Sequence, residues 1–277
     1  MRRPFHLVDV FGAGPLLGNP LAVVSEAGGM GTERMLELTR WFNLSETTFL
    51  LEPGDDSADY RVRIFTLAGE LPFAGHPTLG TCHVWASEAG KTNQHMIQEC
   101  GAGLIALRSE GGIFWFRAPP LIRDGPVDDE TVARLAGVLG TPMEAIVSTH
   151  WVDNGPGWVG VLLEDAASVL DLEPDFAGGT GLDIGVVGFH QDGSETAYEI
   201  RAFFSDHNGR LVEDPVTGSL NASVAKWMID EGRVSTPYRA SQGQRVGRNG
   251  IVHIDRDHEG IWVGGATHTI ATGSIEI

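Results

Sequence analysis

Cysteine is nearly absent. The 277 residues hold only Cys82 and Cys100, too few for a disulfide framework, and a reduced, cytoplasmic setting is expected. Cationic side chains are also scarce. Nineteen Lys and Arg stand against 37 Asp and Glu, a formal charge of −18. That balance argues against nucleic acid or an anionic membrane as a partner, and leaves open a small anion held locally. No run approaches the roughly 18 consecutive apolar residues of a membrane-spanning helix. Met1 to His6 carries basic residues without an apolar stretch behind them, so no secretory signal is expected there. The ten histidines and two cysteines show no HxxxH or CxxC spacing, which leaves no metal motif. Gly101-Ala102-Gly103 lacks the rest of a dinucleotide fingerprint. Neither a phosphate-binding GxxxxGK[ST] loop nor a Gly-x-Ser-x-Gly nucleophile elbow is present. Metal, nucleotide and serine-hydrolase chemistry therefore find no anchor.

What is present is ordinary globular composition, 42% hydrophobic and 20% charged, in a chain long enough for one large or two modest domains. The most informative stretch is Glu70-Leu71-Pro72-Phe73-Ala74-Gly75-His76-Pro77-Thr78-Leu79-Gly80. It follows a strand-like run, Tyr60 to Thr66, and opens into a helix-like run that stops at Gly90. Proline where a helix would begin is a start signal, and the free N–H groups of such a start attract anions. The pattern recurs. Tyr198 to Phe204 reads as a strand, and Glu213-Asp214-Pro215-Val216-Thr217-Gly218-Ser219 leads into a helix, Leu220 to Glu231, that stops at Gly232. Trp85 and Trp227 lie 227 − 85 = 142 residues apart, as do the stop glycines at 232 − 90 = 142. At that offset Gly75 falls on Thr217, and the match reads as an internal duplication.

Further strands are expected at Phe5 to Val10, Leu21 to Val24, Thr47 to Leu51, Met96 to Glu99, Leu104 to Leu107 and Ile113 to Arg117. In the second half they are expected at Val147 to Trp151, Trp158 to Leu163, Asp183 to His190, Arg245 to Val246, Gly250 to Ile254, Gly260 to Val263 and Ala266 to Ile277. Thr32 to Phe42, with Thr32 as N-cap, and Asp128 to Leu139 have helical spacing. The prolines at 119, 120 and 126 mark a boundary. It separates an N-terminal half, 1–118, from a C-terminal half, 126–265.

Glu46 stands among uncharged neighbours from Asn43 to Phe49. Two readings fit it: a general base whose pKa is raised in a confined pocket, or an exposed loop acid. His76 reads as a polarising group or as a cap on the first helical turn. Asp214 reads as a substrate-binding acid or as an N-cap before Pro215. Gly75, Gly218 and Ser219 could offer backbone or hydroxyl donors to a carboxylate, or could simply make turns.

Asn43-Leu44-Ser45-Glu46-Thr47-Thr48-Phe49, Arg63-Ile64-Phe65-Thr66, Glu70 to Gly80, Glu213 to Ser219 and Gly18-Asn19-Pro20-Leu21-Ala22-Val23 together resemble the PhzF-like isomerase family of phenazine biosynthesis, from about Val8 onward. The resemblance implies an α/β (α+β) fold of the diaminopimelate epimerase-like kind, two similar halves each a barrel-like mixed sheet around a central helix. It implies that the terminal strand, about 266–277, returns to the first half, and that the active site lies in the cleft between the halves. It implies a homodimer and a cofactor-independent isomerase that moves a proton between carbons of a small carboxylate-bearing substrate resembling trans-2,3-dihydro-3-hydroxyanthranilate. Glu46, His76 and Asp214 fall on catalytic positions, and Asn19, Ser45, Gly75, Gly218 and Ser219 on substrate-binding ones. Epimerisation of another small amino or hydroxy acid, or ligand binding without turnover, remains open, and the loops Gly12 to Gly18 and Gly178 to Asp183 are where specificity would lie. Related epimerases place a cysteine at each helix start. This chain has Ala74-Gly75-His76 and Val216-Thr217-Gly218 there, which disfavours thiol chemistry.

Overall fold

The computed structural model describes residues 2–91, 95–176, 181–206 and 209–277, and positions 178–180 of the second specificity loop lie outside them. The chain forms two units, Met1–Arg117 with Gly264–Ile277, and Ala118–Val263. In unit 1 the elements are β1 (Arg2–Val10), β2 (Asn19–Val24), α1 (Thr32–Phe42), β3 (Glu46–Leu51), β4 (Tyr60–Thr66), β5 (Glu70–Leu71), α2 (Gly75–Glu88), β6 (His95–Cys100), β7 (Gly103–Glu110) and β8 (Ile113–Arg117). In unit 2 they are β9 (Arg123–Gly125), α3 (Asp129–Leu139), β10 (Ile146–Asp153), β11 (Trp158–Leu163), α4 (Ala166–Leu170), β12 (Asp183–Phe189), β13 (Tyr198–Ser205), β14 (Leu211–Asp214), α5 (Gly218–Asp230), β15 (Tyr238–Gln242) and β16 (Gly250–Asp257). The last strand, β17 (Gly260–Glu276), begins in unit 2 and continues into unit 1.

Unit 1 is a closed barrel. β1 pairs antiparallel with β2, β2 parallel with β3, β3 antiparallel with β4 and β4 parallel with β6. β6, β7 and β8 continue antiparallel, β8 meets β17, and β17 closes the ring on β1. Closure pairs each of these eight strands on both sides. The helix inside is α2, buried from Gly75 to Cys82 and again at Val84 to Ala86. A helix enclosed on all sides needs small residues where it meets the wall. A Cβ on Gly80 would sit 2.5 Å from Leu21 Cδ2, so glycine sets how closely helix and barrel approach. α1 covers the outer face, packing Met35 and Leu38 on Val24, Phe49 and Phe65.

Unit 2 repeats the order of pairings. β10–β11 is antiparallel, β11–β12 parallel, β12–β13 antiparallel, β13–β15 parallel and β15–β16 antiparallel. Leu220, Val224, Trp227 and Met228 of α5 pack on Trp158, Leu162, Val187, Ile200 and Ala202 of the inner wall. The opposite wall face packs on α3 and α4 through Leu135, Leu139 and Val169.

The repeat extends to side chains. Arg63 donates to both carboxylate oxygens of Glu70 and lies 5.1 Å over the Phe65 ring. Arg201 does the same with Glu213 and lies 4.9 Å over Phe203. Each first hairpin loop is tied by an aspartate. Asp9 accepts from the amides of Leu17 and Gly18, and Asp153 from those of Gly155 and Gly157.

Several local expectations are corrected. The helix N-caps are Ala74 and Thr217, 217 − 74 = 143 apart. Gly75 is therefore matched with Gly218, and His76 with Ser219. The tryptophans differ by 142 because Trp85 is the eleventh residue of α2 and Trp227 the tenth of α5. Pro77 is the third helical residue, and Gly31, not Thr32, caps α1. Gln244–Val246 is a 3₁₀ turn flanked by Gly243 at φ 98° and Gly247 at φ 71°. That left-handed backbone suits glycine and ends the strand before Arg245.

Candidate active site

Three residues, Asn43 to Ser45, separate α1 from β3. Asn43 closes the helix at φ 55°, a left-handed conformation that asparagine tolerates, so Ser45 and Glu46 emerge directly at the end of the barrel. Thr66 faces Glu46 across β4. Side chains alternate along a strand. Thr48 lies on the inner face, where its hydroxyl meets Thr81 of α2 at 2.8 Å, and Glu46 shares that face. Its Oε2 lies 3.4 Å from Nε2 of His76, the second residue of α2. The His76 side chain is 5% exposed. Burial pushes its imidazole pKa down to about 3, because the cation would lose its hydration. A neutral imidazole thus faces a carboxyl group at the start of a helix. Gly75 stands beside it, in the turn where helical N–H groups have no partner within the helix. Asn19 opens β2, fully buried and opposite Val10, just after the loop that Asp9 ties.

In unit 2 Asp214 ends β14 and is buried. It is not the helix cap: Thr217 occupies that place. The Thr217 hydroxyl donates to Asp214 Oδ2 at 2.6 Å. Gln242 completes the clamp, donating to the Asp214 carbonyl and to Thr217 Oγ1 while its Oε1 accepts from the Thr217 amide and from Asn221. The amide of Thr217 can only donate, which fixes the orientation of the Gln242 side chain. Ser219 lies in the first turn of α5 beside Gly218. Its Oγ is 3.1 Å from Nε1 of Trp158, and its carbonyl accepts from Asn154. An indole N–H donates and cannot accept, so Ser219 accepts there and keeps its own proton for another acceptor.

Glu46 and His76 are thus brought together in unit 1 beside Gly75, and Asp214, Gly218 and Ser219 gather around the start of α5 in unit 2. Sequence reasoning missed Thr217, Gln242, Asn154 and Trp158. The Asp-x-x-Thr spacing of Asp214 and Thr217 was the available signal for one contact. The cysteines are unsuited to proton transfer. Cys82 is fully buried with its thiol pushed up to about 12, and burial raises Cys100 as well. Among the described residues no group of three or more His, Cys, Asp or Glu could hold a metal ion, and no helix is long and apolar enough to cross a membrane.

Comparison with known proteins gives this arrangement its class. Trans-2,3-dihydro-3-hydroxyanthranilate isomerase of Pseudomonas aeruginosa is 33% identical over 253 residues, 88% of this chain and 87% of that one. Antisense-enhancing sequence 1 of Schizosaccharomyces pombe is 32% identical over 290 residues, 97% of each chain. The PhzF family phenazine biosynthesis protein of Enterococcus faecalis shares the fold, with a TM-score of 0.81 at 24% identity over 100% of both chains. The class is that of the isomerases on a diaminopimelate epimerase-like fold. The family model described as phenazine biosynthesis-like protein matches residues 8–273, and the chain belongs to that family.

Proposed function

We infer that the protein shifts a proton between carbons of a small conjugated carboxylate, with Glu46 as the base, on a compound like trans-2,3-dihydro-3-hydroxyanthranilate. The observation that carries this reading is the pairing of Glu46 with the buried, neutral His76. A carboxylate at the end of a barrel can take a proton from an activated C–H and return it to another carbon of the same conjugated system. His76, being neutral, can donate to or accept from the substrate without adding a charge. Ser219, whose oxygen already accepts from Trp158, can offer its proton to a carboxylate at the start of α5, and the amides near Gly75 can do the same at the start of α2. Asp214, held by Thr217 and Gln242, can accept from a donor group of a bound acid. Every transfer uses side chains alone, without a cofactor.

The test is turnover of trans-2,3-dihydro-3-hydroxyanthranilate, followed by NMR, with wild type and Glu46→Gln. The substitution keeps size and hydrogen bonding but removes the basic oxygen, and kcat falls by about 10²–10⁴ with the circular dichroism spectrum unchanged. Wild-type turnover by Glu46→Gln would remove the base assignment. Turnover of a different amino or hydroxy acid by wild type, with this compound inert, would keep the chemistry and change the substrate.

A further inference from the structure

A second contact joins β3 to α2 below the pairing of Glu46 with His76. Two residues further along the strand, on the same inner face, the Thr48 hydroxyl lies 2.8 Å from that of Thr81. Both threonines are fully buried. The Thr81 hydroxyl also lies 2.7 Å from the carbonyl oxygen of Pro77, the residue after His76. A carbonyl only accepts, so the Thr81 proton has a partner there, and the Thr48 proton can complete the bond between the hydroxyls. The contacts close a ring: Glu46 to Thr48 along the strand, Thr48 to Thr81, Thr81 to Pro77, and His76 back to Glu46. Two strand residues span about 6.7 Å. The five helical steps from His76 to Thr81 rise about 7.5 Å, so the second tie sits one step inside the first.

The site needs such a tie. Glu46 is the first residue of β3, and pairing with β2 begins at Thr47. His76 is the second residue of α2. Both stand at the ends of their elements, where the backbone is held by fewer hydrogen bonds. The fold does not itself ask for hydroxyls at this depth, as unit 2 shows. Phe65 is opposite Glu70 and Thr47 opposite Phe65, while Phe203 is opposite Glu213 and Ile184 opposite Phe203. Thr48 is therefore matched with Gly185, and Thr81, the seventh residue of its helix, with Val224. There the contact is apolar. A Cβ on Gly185 would lie 2.4 Å from Leu220 Cδ1, and Leu220 and Val224 share one core. Apolar burial sets no direction, whereas a bond between hydroxyls holds its oxygens within about 2.5–3.0 Å.

We propose that Thr48 and Thr81 form a positioning pair that sets the approach of Glu46 to His76, and with it the rate of proton transfer. This deepens the reading above and rests on it. Neither threonine takes or gives a proton in the reaction. Their bond keeps the start of β3 and the first turn of α2 from sliding past one another. A misplacement of about 1 Å at a reacting group costs about 10²-fold in rate.

The experiment measures kcat and KM on trans-2,3-dihydro-3-hydroxyanthranilate for Thr48→Val, Thr81→Val, the double valine variant, Thr48→Ser, Thr81→Ser and Glu46→Gln. Valine keeps the shape of threonine without its hydroxyl, and serine keeps the hydroxyl. Thr48→Val leaves the Thr81 hydroxyl its Pro77 partner, so the fold survives the test. The nuclear Overhauser cross-peak between Glu46 Hγ and His76 Hε1 protons is recorded for each threonine variant without substrate. In the valine variants kcat falls about 10- to 10²-fold, KM is unchanged, and the cross-peak loses at least half its intensity. Both serine variants recover rate and cross-peak. The double valine variant loses no more than the worse single one, because each removes the same bond. Thr39→Val, which removes a buried hydroxyl bonded within α1, keeps the wild-type kcat and separates positioning from a general loss of stability. Valine variants with wild-type kcat or an undiminished cross-peak overturn the inference, as do serine variants as slow as the valine ones. The cross-peak needs no turnover, so it decides whether the pair sets the approach even where wild type leaves this substrate unchanged. Full activity in Glu46→Gln defeats the base assignment whatever the threonines do.

Discussion

His76 is neutral because it is enclosed, and enclosure has a cost when acid is added. The unfolded chain protonates this imidazole below about 6.5, whereas the folded chain holds it neutral until about 3. Within that interval the unfolded state binds the extra proton, so stability falls as pH falls. Urea unfolding at a series of pH values therefore shows a steeper acid loss for wild type than for His76→Asn, and equal slopes would contradict the burial that keeps the site neutral. The same enclosure explains why Glu46 could be singled out in the sequence while its role could not. Its uncharged neighbours are local and readable. The 3.4 Å approach of His76 joins β3 to the start of α2, 76 − 46 = 30 residues further along the chain.

At the scale of elements the two repeats offer an internal control. Arg201 and Glu213 are 3% and 4% exposed, whereas Arg63 and Glu70 are 25% and 38% exposed. Geometry is the same and solvent differs. Glu213→Gln leaves Arg201 buried without its counter-charge, which costs about 3–5 kcal/mol, while Glu70→Gln costs under about 1 kcal/mol. Denaturant titration of the two variants reads the difference directly, and equal losses would mean that burial does not decide the strength of the pair. Elements with hydropathy patterns or glycine stops were legible in advance. Both central helices end at a left-handed glycine, Gly90 and Gly232, and both motif turns stand out. β15 was not legible, because Arg239, Ser241 and Gln242 read as loop. Ser241 and Gln242 are buried because hydrogen bonds satisfy them, and hydropathy does not register such bonds.

For the whole molecule, the duplication was visible only in part, since no single offset describes it. The first residues of β3 and β12, Glu46 and Asp183, are 183 − 46 = 137 apart, the arginines 201 − 63 = 138, and the helix starts 218 − 75 = 143. Unequal connections shift the register between elements, so a scan at 142 finds the ends of the helices and passes over these strands. Once the hydrogen-bonded ladders are known, each unit is a barrel-like sheet around a helix, α2 in the first and α5 in the second. The central claim is that this arrangement moves protons on carbon. Its most direct test is ¹H NMR in deuterated water, with trans-2,3-dihydro-3-hydroxyanthranilate and a panel of small amino and hydroxy acids. Wild type exchanges a carbon-bound proton of one compound and Glu46→Gln does not. Equal exchange by both proteins, or none by folded wild type with any of these compounds, would contradict the account.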